Sequence, residues 1–364
     1  MEKRVSGCRG CLLGLAVGDA MGHTVEDKSW EEIQQDYGPN GLLGYDLVNG
    51  YASASANTQV AAYVSNGLLL GVSRGKPELY LRYITLSLRE WARAQHFPRD
   101  PEKSWCWVAK IPQMRVRKFK DSRMLDALRM DPAGTMEKPV NKASSTGSLT
   151  GAVVIGLACN DRGMDRALAA RLGAQTVALT HGNIETILCG SILAECIASI
   201  LESPETSLYT HLSRSIERME KEFGDTYVQA EELGDMLRGV MEKALFGTGN
   251  PTEEMERMVC DTAPQCLCAA VYTVLHCQED FDGAMILAVN HSGRSAVVGS
   301  LVGAILGAKM GAEALPEFYL ECLEPAEVLE TLAADLALCS PTSGLFDNDW
   351  DHKYVQGLPV GMDA

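Results

Sequence analysis

The chain has 364 residues, 46% of them hydrophobic, enough to bury a sizeable core as one large domain or two ordinary ones. Lys and Arg number 32 against 48 Asp and Glu, and the resulting net charge of -16 repels phosphate backbones and anionic lipid. Nucleic acid and membrane surfaces are therefore set aside as partners. No basic segment followed by an apolar one opens the sequence, and the apolar run SAVVGSLVGAILGA (295–308) stops at Lys309, short of the roughly 20 residues that a membrane span needs. A cytoplasmic protein is expected, in which the twelve cysteines, scattered through apolar stretches, are buried free thiols.

Helical periodicity runs nearly throughout. The first helix carries Gly10, Gly14, Gly18 and Gly22 at every fourth position. Next comes ASANTQVAAYVSNGLLLG, where Ser55 and Asn57 are good N-cap residues ahead of an apolar run. LYLRYITLSLREWARAQ, ETILCGSILAECIASILES, LYTHLSRSIERMEKEF and AAVYTVLHCQ follow with the 3.6 period. A second glycine series, Gly299, Gly303, Gly307 and Gly311, precedes PAEVLETLAADLALC. No sustained alternation bounded by hairpin turns appears, so the fold class is all-α. Connections such as GPNGLLGYDLVNG, DPAGTMEKPVN and FGTGNPTEE are turn-rich but short, which favours one compact multi-helix domain over residues 1–364. The turn-rich, acidic tail over 340–364 is expected to pack on it through Trp350 and Tyr354.

Glycine costs a helix about 1 kcal/mol relative to alanine, so two repeated glycine ridges imply that another backbone must come close to each. Polar residues at the ends of these helices could then converge: Asp19 and Glu26 on one, His291 to Ala296 on the other. Cys8 and Cys11 form a C-x-x-C and Cys266 and Cys268 a C-x-C, but neither has a second pair at zinc-site spacing.

The segment GCLLGLAVGDAMGHTVE resembles the opening of the ADP-ribosylglycohydrolase family, G-x-x-x-G-x-A-x-G-D-A-x-G-x-x-x-E. In order along the chain, SANTQ resembles the family's [ST]-D-D-T-Q, GTMEKPVN a segment of bacterial members, and ALTHGN its LTH segment. AVNHSGRSAVVGSLVGAILGAKMGAEALP resembles N-x-x-G-D-[ST]-D-[ST] with the glycine helix that follows it. The resemblance implies an all-α fold that holds two divalent cations, usually magnesium, and cleaves ADP-ribose from modified side chains.

It also shows a change. The family's metal ligands fall here on Ser55, Ala56 and Asn57 and on Arg294, Ala296 and Val297, so all four aspartates are replaced. Magnesium depends on anionic oxygen ligands, so no metal cofactor is expected. The family's G-N-G-A-x-M-R segment reads STGSLTG from Ser145, which includes Gly147.

The expected cleft comprises Asp19, Glu26, Ser55, Asn57, Thr58, Gly147, His181, His291, Ser292, Gly293, Arg294 and Ser295. Asp19 and Glu26 are the candidate general bases, and Arg294 the candidate surrogate for the lost cations. Three readings are open. One is a pseudoenzyme that binds an ADP-ribose-like or other anionic ligand, or a protein partner. The second is a hydrolase with rewired, metal-independent chemistry. The third is a structural, crystallin-like protein.

Overall fold

In the computed structural model, residues 1–96, 100–119, 122–159, 164–339 and 348–356 are described. They are mostly helical and carry no β-strand; isolated bridges join Val48 to Tyr51 and Ala52 to Leu323. Four helices position the site: α1 (Glu2–Val25), α2 (Ala56–Arg74), α3 (Ile184–Glu202) and α4 (Ser295–Met310). A continuous hydrophobic cluster runs from Cys8 to Tyr354 and draws on all four.

Helices α1 and α4 lie antiparallel with their glycine ridges face to face. A Cβ added at Gly10 would sit 2.2 Å from the Gly307 carbonyl oxygen, at Gly14 2.2 Å from that of Gly303, and at Gly18 1.9 Å from that of Gly299. No side chain fits there, which explains why both ridges accept the helix penalty of glycine. Gly311 lies one step past α4, at a φ of +84°, where it ends the helix and still packs against α1: a Cβ on Gly10 would lie 2.8 Å from its carbonyl carbon. The antiparallel pairing sets the C-terminus of α1 beside the N-terminus of α4. Because this register is fixed by backbone contact, Glu26 and Ala296 meet although they are far apart in sequence.

Helix α1 begins at Glu2, earlier than the glycine pattern suggests, with its polar first turn at the surface. Helix α3 is apolar and long enough to cross a membrane, but most of it is buried among the other helices. All twelve cysteines are free thiols, ten of them buried. In the tail, the helix Asn348–Tyr354 buries Trp350 and Tyr354, and Trp350 donates to Ser73 Oγ. The remaining tail residues, 340–347 and 357–364, lie outside the described residues.

Candidate functional site

The N-terminus of α2 is capped twice. Ser55 Oγ accepts the Asn57 N–H at 3.1 Å, which is the cap that the sequence suggests. Asp19, fully buried on α1, supplies the second. Its Oδ2 accepts the Ser55 N–H at 2.8 Å, the Thr58 N–H at 3.1 Å and the Thr58 hydroxyl at 2.6 Å. Its Oδ1 accepts the Ser55 hydroxyl at 2.6 Å and the Asn57 amide at 3.1 Å. Five donors converge on one carboxylate, so Asp19 is a structural anion at a helix N-terminus rather than a base facing the cleft.

Glu26 does the same for α4. Its Oε2 accepts the Ala296 N–H at 2.7 Å, and Arg294 Nη1 lies 3.8 Å from its Oε1. Burial pushes the Glu26 carboxyl up to about 7, while the Ala296 N–H and Arg294 pull it down and Asp19 and Asp27 add to the rise. Arg294 also stands 4.0 Å from Asp27 Oδ1, and its side chain is 49% exposed. Arg294, the candidate cation surrogate, does pair with Glu26, therefore, but loosely and from a half-exposed position.

A cavity of about 590 Å³ opens between these elements, lined among others by Glu26, Ser55, Ala56, Asn57, Gly147, Arg294, Ala296 and Val297. All four positions where the family pattern has an aspartate, Ala56, Asn57, Arg294 and Ala296, face this one space. The rest of the expected cleft does not line it. Asp19 and Thr58 lie beneath the α2 cap, and Ser295 is buried with its hydroxyl on the His291 carbonyl. His181 is 0% exposed behind the wall, with Nε2 3.0 Å from Ser145 Oγ.

His291, Ser292 and Gly293 instead form a strap under Arg294. His291 is buried, bonds the Ala288 carbonyl through Nε2, and is pushed down to about 4 by burial. Ser292 Oγ accepts the Trp30 N–H at 2.7 Å and donates to Glu256 at 2.9 Å. Gly293 packs so closely that a Cβ there would lie 2.6 Å from that of Cys260.

Sequence reasoning missed the opposite wall, which includes Lys118, Phe119, Arg123 and Asp261. Its positioning starts from Gln59 on α2, whose amide donates to the Gln113 and Val116 carbonyls at 3.1 and 2.9 Å. Gln95, on the helix Tyr80–His96, accepts the Lys118 and Phe119 N–H groups at 3.0 and 3.2 Å. The Phe119 ring packs edge-on against Trp91 at 5.0 Å. Lys118 Nζ donates to Ser53 Oγ and the Ala54 carbonyl, and burial pulls its pKa down against the opposing influence of Glu324 and Asp19. Two buried glutamines on separate helices hold this wall, and their local sequence does not signal it.

The oxygens present do not suit a pair of magnesium ions. Both Asp19 oxygens are committed to α2, one Glu26 oxygen caps α4, and the Ser55 hydroxyl both donates and accepts. Among the described residues no group of three or more His, Cys, Asp or Glu is arranged to hold a metal ion. The lining is of mixed charge: Lys118, Arg123 and Arg294 share it with Glu26, Asp27 and Asp261, and the N-termini of α2, of α4 and of the helix Leu149–Leu157 meet it.

An all-α fold with two glycine-packed helices and a polar cleft at the meeting of three helix N-termini defines the class. The sequence model of the ADP-ribosylglycohydrolase family matches residues 2–344, and the chain belongs to that family. A solved structure described as an ADP-ribosylglycohydrolase-related protein complex is similar in fold, with a TM-score of 0.58 and 22% identity over 93% of this chain and 100% of that one. No curated protein matches the chain.

Proposed function

We propose that this protein binds an anionic ligand of the ADP-ribose class in the cleft and does not carry out the family's metal-assisted glycosidic cleavage. The observation that carries this reading is the shared cavity wall of Ala56, Asn57, Arg294 and Ala296, where the family pattern has aspartates. An arginine in place of one of these aspartates, and uncharged residues in place of the other three, favour a bound anion over a bound cation. The cavity, about 590 Å³, is of ordinary size for a small-molecule site.

Calorimetry with ADP-ribose in the presence of EDTA tests the reading. Binding without magnesium, together with no release of ADP-ribose from modified arginine or serine substrates, supports it. Magnesium-dependent release, or no binding at millimolar ligand, overturns it.

Glu26 favours a second reading. A partly buried carboxyl held near 7 at the cleft wall is matched to general-base work at neutral pH. Turnover that persists in EDTA and is lost in Glu26→Gln would establish that alternative.

A further inference from the structure

We infer that Ser145 and His181 form a nucleophile and general-base pair in the wall of the cleft, able to accept an acyl group from an ester. Ser145 lines the cavity, and its hydroxyl lies 3.0 Å from His181 Nε2. His181 Nδ1 lies 2.8 Å from Thr180 Oγ1 and 3.0 Å from Ser148 Oγ. With Nδ1–H donating to one of these oxygens, the Nε2 lone pair is left to accept from Ser145. This is the nucleophile, base and orienting group of serine hydrolases, with a hydroxyl in place of the usual carboxylate.

The backbone holds the pair together. Asn141 Nδ2 donates to the Thr180 carbonyl at 2.8 Å, while Asn141 Oδ1 accepts the Ala143 and Gly182 N–H groups at 2.9 and 3.1 Å. The Asn183 N–H donates to the Ala143 carbonyl at 3.2 Å. A Cβ on Gly182 would lie 1.9 Å from the Asn141 carbonyl oxygen, so glycine allows the two segments to meet. Ser145 also stands just before the N-terminus of the helix Leu149–Leu157, where partial positive charge suits a developing oxyanion.

In the step itself, Ser145 Oγ bonds to the acyl carbon as its proton passes to His181 Nε2. The tetrahedral intermediate then expels the alcohol oxygen, which takes that proton. Water attacks the acyl-serine with His181 again as base, releasing a carboxylic acid and restoring the serine. Lys118, Arg123 and Arg294 line the same cavity beside Glu26, Asp27 and Asp261, which suits an ester whose alcohol carries both an anionic group and hydroxyls. A hydroxyl orients the imidazole but stabilises the imidazolium less than a carboxylate does, so acylation is expected to be slow.

Incubation of the full chain with a fluorophosphonate probe, followed by peptide mass mapping, tests the pair. A single adduct on Ser145 is expected, absent in Ser145→Ala and formed at least tenfold more slowly in His181→Gln. Since replacing a buried histidine can unfold its turn, Ser145→Cys provides a second reading. The introduced thiol should be alkylated by iodoacetamide with a pH midpoint at least one unit below that of an ordinary thiol. No adduct on Ser145, or a thiol that titrates normally, overturns the assignment. Labelling of Ser145 supports it whether or not ADP-ribose slows the reaction, because protection by ADP-ribose reports only on the ligand reading.

Discussion

Asp19 holds Thr58 twice through one oxygen: Oδ2 accepts both the backbone N–H, at 3.1 Å, and the hydroxyl, at 2.6 Å. The contact joins α1 to the first turn of α2 from a position with no solvent access. The acidic residue of the family's opening motif thus serves as a tertiary N-cap. Together with Glu26 on Ala296, it gives each of the two helix N-termini that carry the replaced family positions a carboxylate from α1 or its C-cap.

Removing that cap should be costly. Asp19→Ala leaves several buried donors without an acceptor and is expected to destabilise the protein by about 3 kcal/mol or more. Thr58→Val deletes one hydroxyl donor and should cost about 1 to 2 kcal/mol. Urea melts of both variants check the order, and an Asp19→Ala midpoint equal to that of the parent would remove the argument.

The glycine ridges allow a paired test. In Gly18→Ala the new methyl meets the Gly299 carbonyl, and the helices can accommodate it only by separating, at a cost of about 3 kcal/mol. Gly239, on the helix Gln229–Phe246, has nothing within 4 Å of its Cβ position, so Gly239→Ala should instead stabilise by about 0.5 to 1 kcal/mol. Thermal melts of the two variants should move in opposite directions.

Glu26 sets a pH dependence of known sign. Its folded value of about 7 lies above the unfolded value of 4.5, so between these limits the native state binds more protons than the unfolded state. Stability is greatest below 4.5 on this account and falls as pH rises through 7, by roughly 3 kcal/mol at most. Glu26→Gln should flatten that slope. Arg294→Ala should raise the Glu26 value further, as observed by carboxyl NMR titration. Arg294 is half exposed, however, so its removal should change stability by only about 1 kcal/mol or less.

What the sequence revealed and what it hid divide along physical lines. Gly10 to Gly22 and Gly299 to Gly307 were legible because close backbone approach excludes every other side chain. Ser55 was legible because an N-cap acts within its own turn. The fates of Asp19 and Ser292 were not, since each bonds residues remote in sequence, Thr58 in one case and Trp30 in the other. The wall bearing Lys118 was hidden for the same reason. Nothing in the local pattern around Gln59 and Gln95 says that their amides bind the backbone of a segment lying outside any long helix.

The proposal that this cleft works without a metal can be tested by reversal. A variant combining Ala56→Asp, Asn57→Asp, Arg294→Asp and Ala296→Asp returns four carboxylates to one cavity wall. Three of the four enter the first turns of α2 and α4, where the helix dipole favours negative charge and partly offsets their mutual repulsion. Without metal the variant should still melt below the parent, because the four added carboxylates crowd the same region as Asp19, Glu26, Asp27 and Asp261. Magnesium should reverse this, since a cation that binds only the native state at a hundredfold excess over its dissociation constant adds about 2.7 kcal/mol. The parent should melt at the same temperature with 5 mM magnesium as with EDTA, magnesium at the millimolar level being ample for a site of the usual affinity. A parent that magnesium stabilises, or a variant that it leaves unchanged, would mean that the four positions do not decide metal binding.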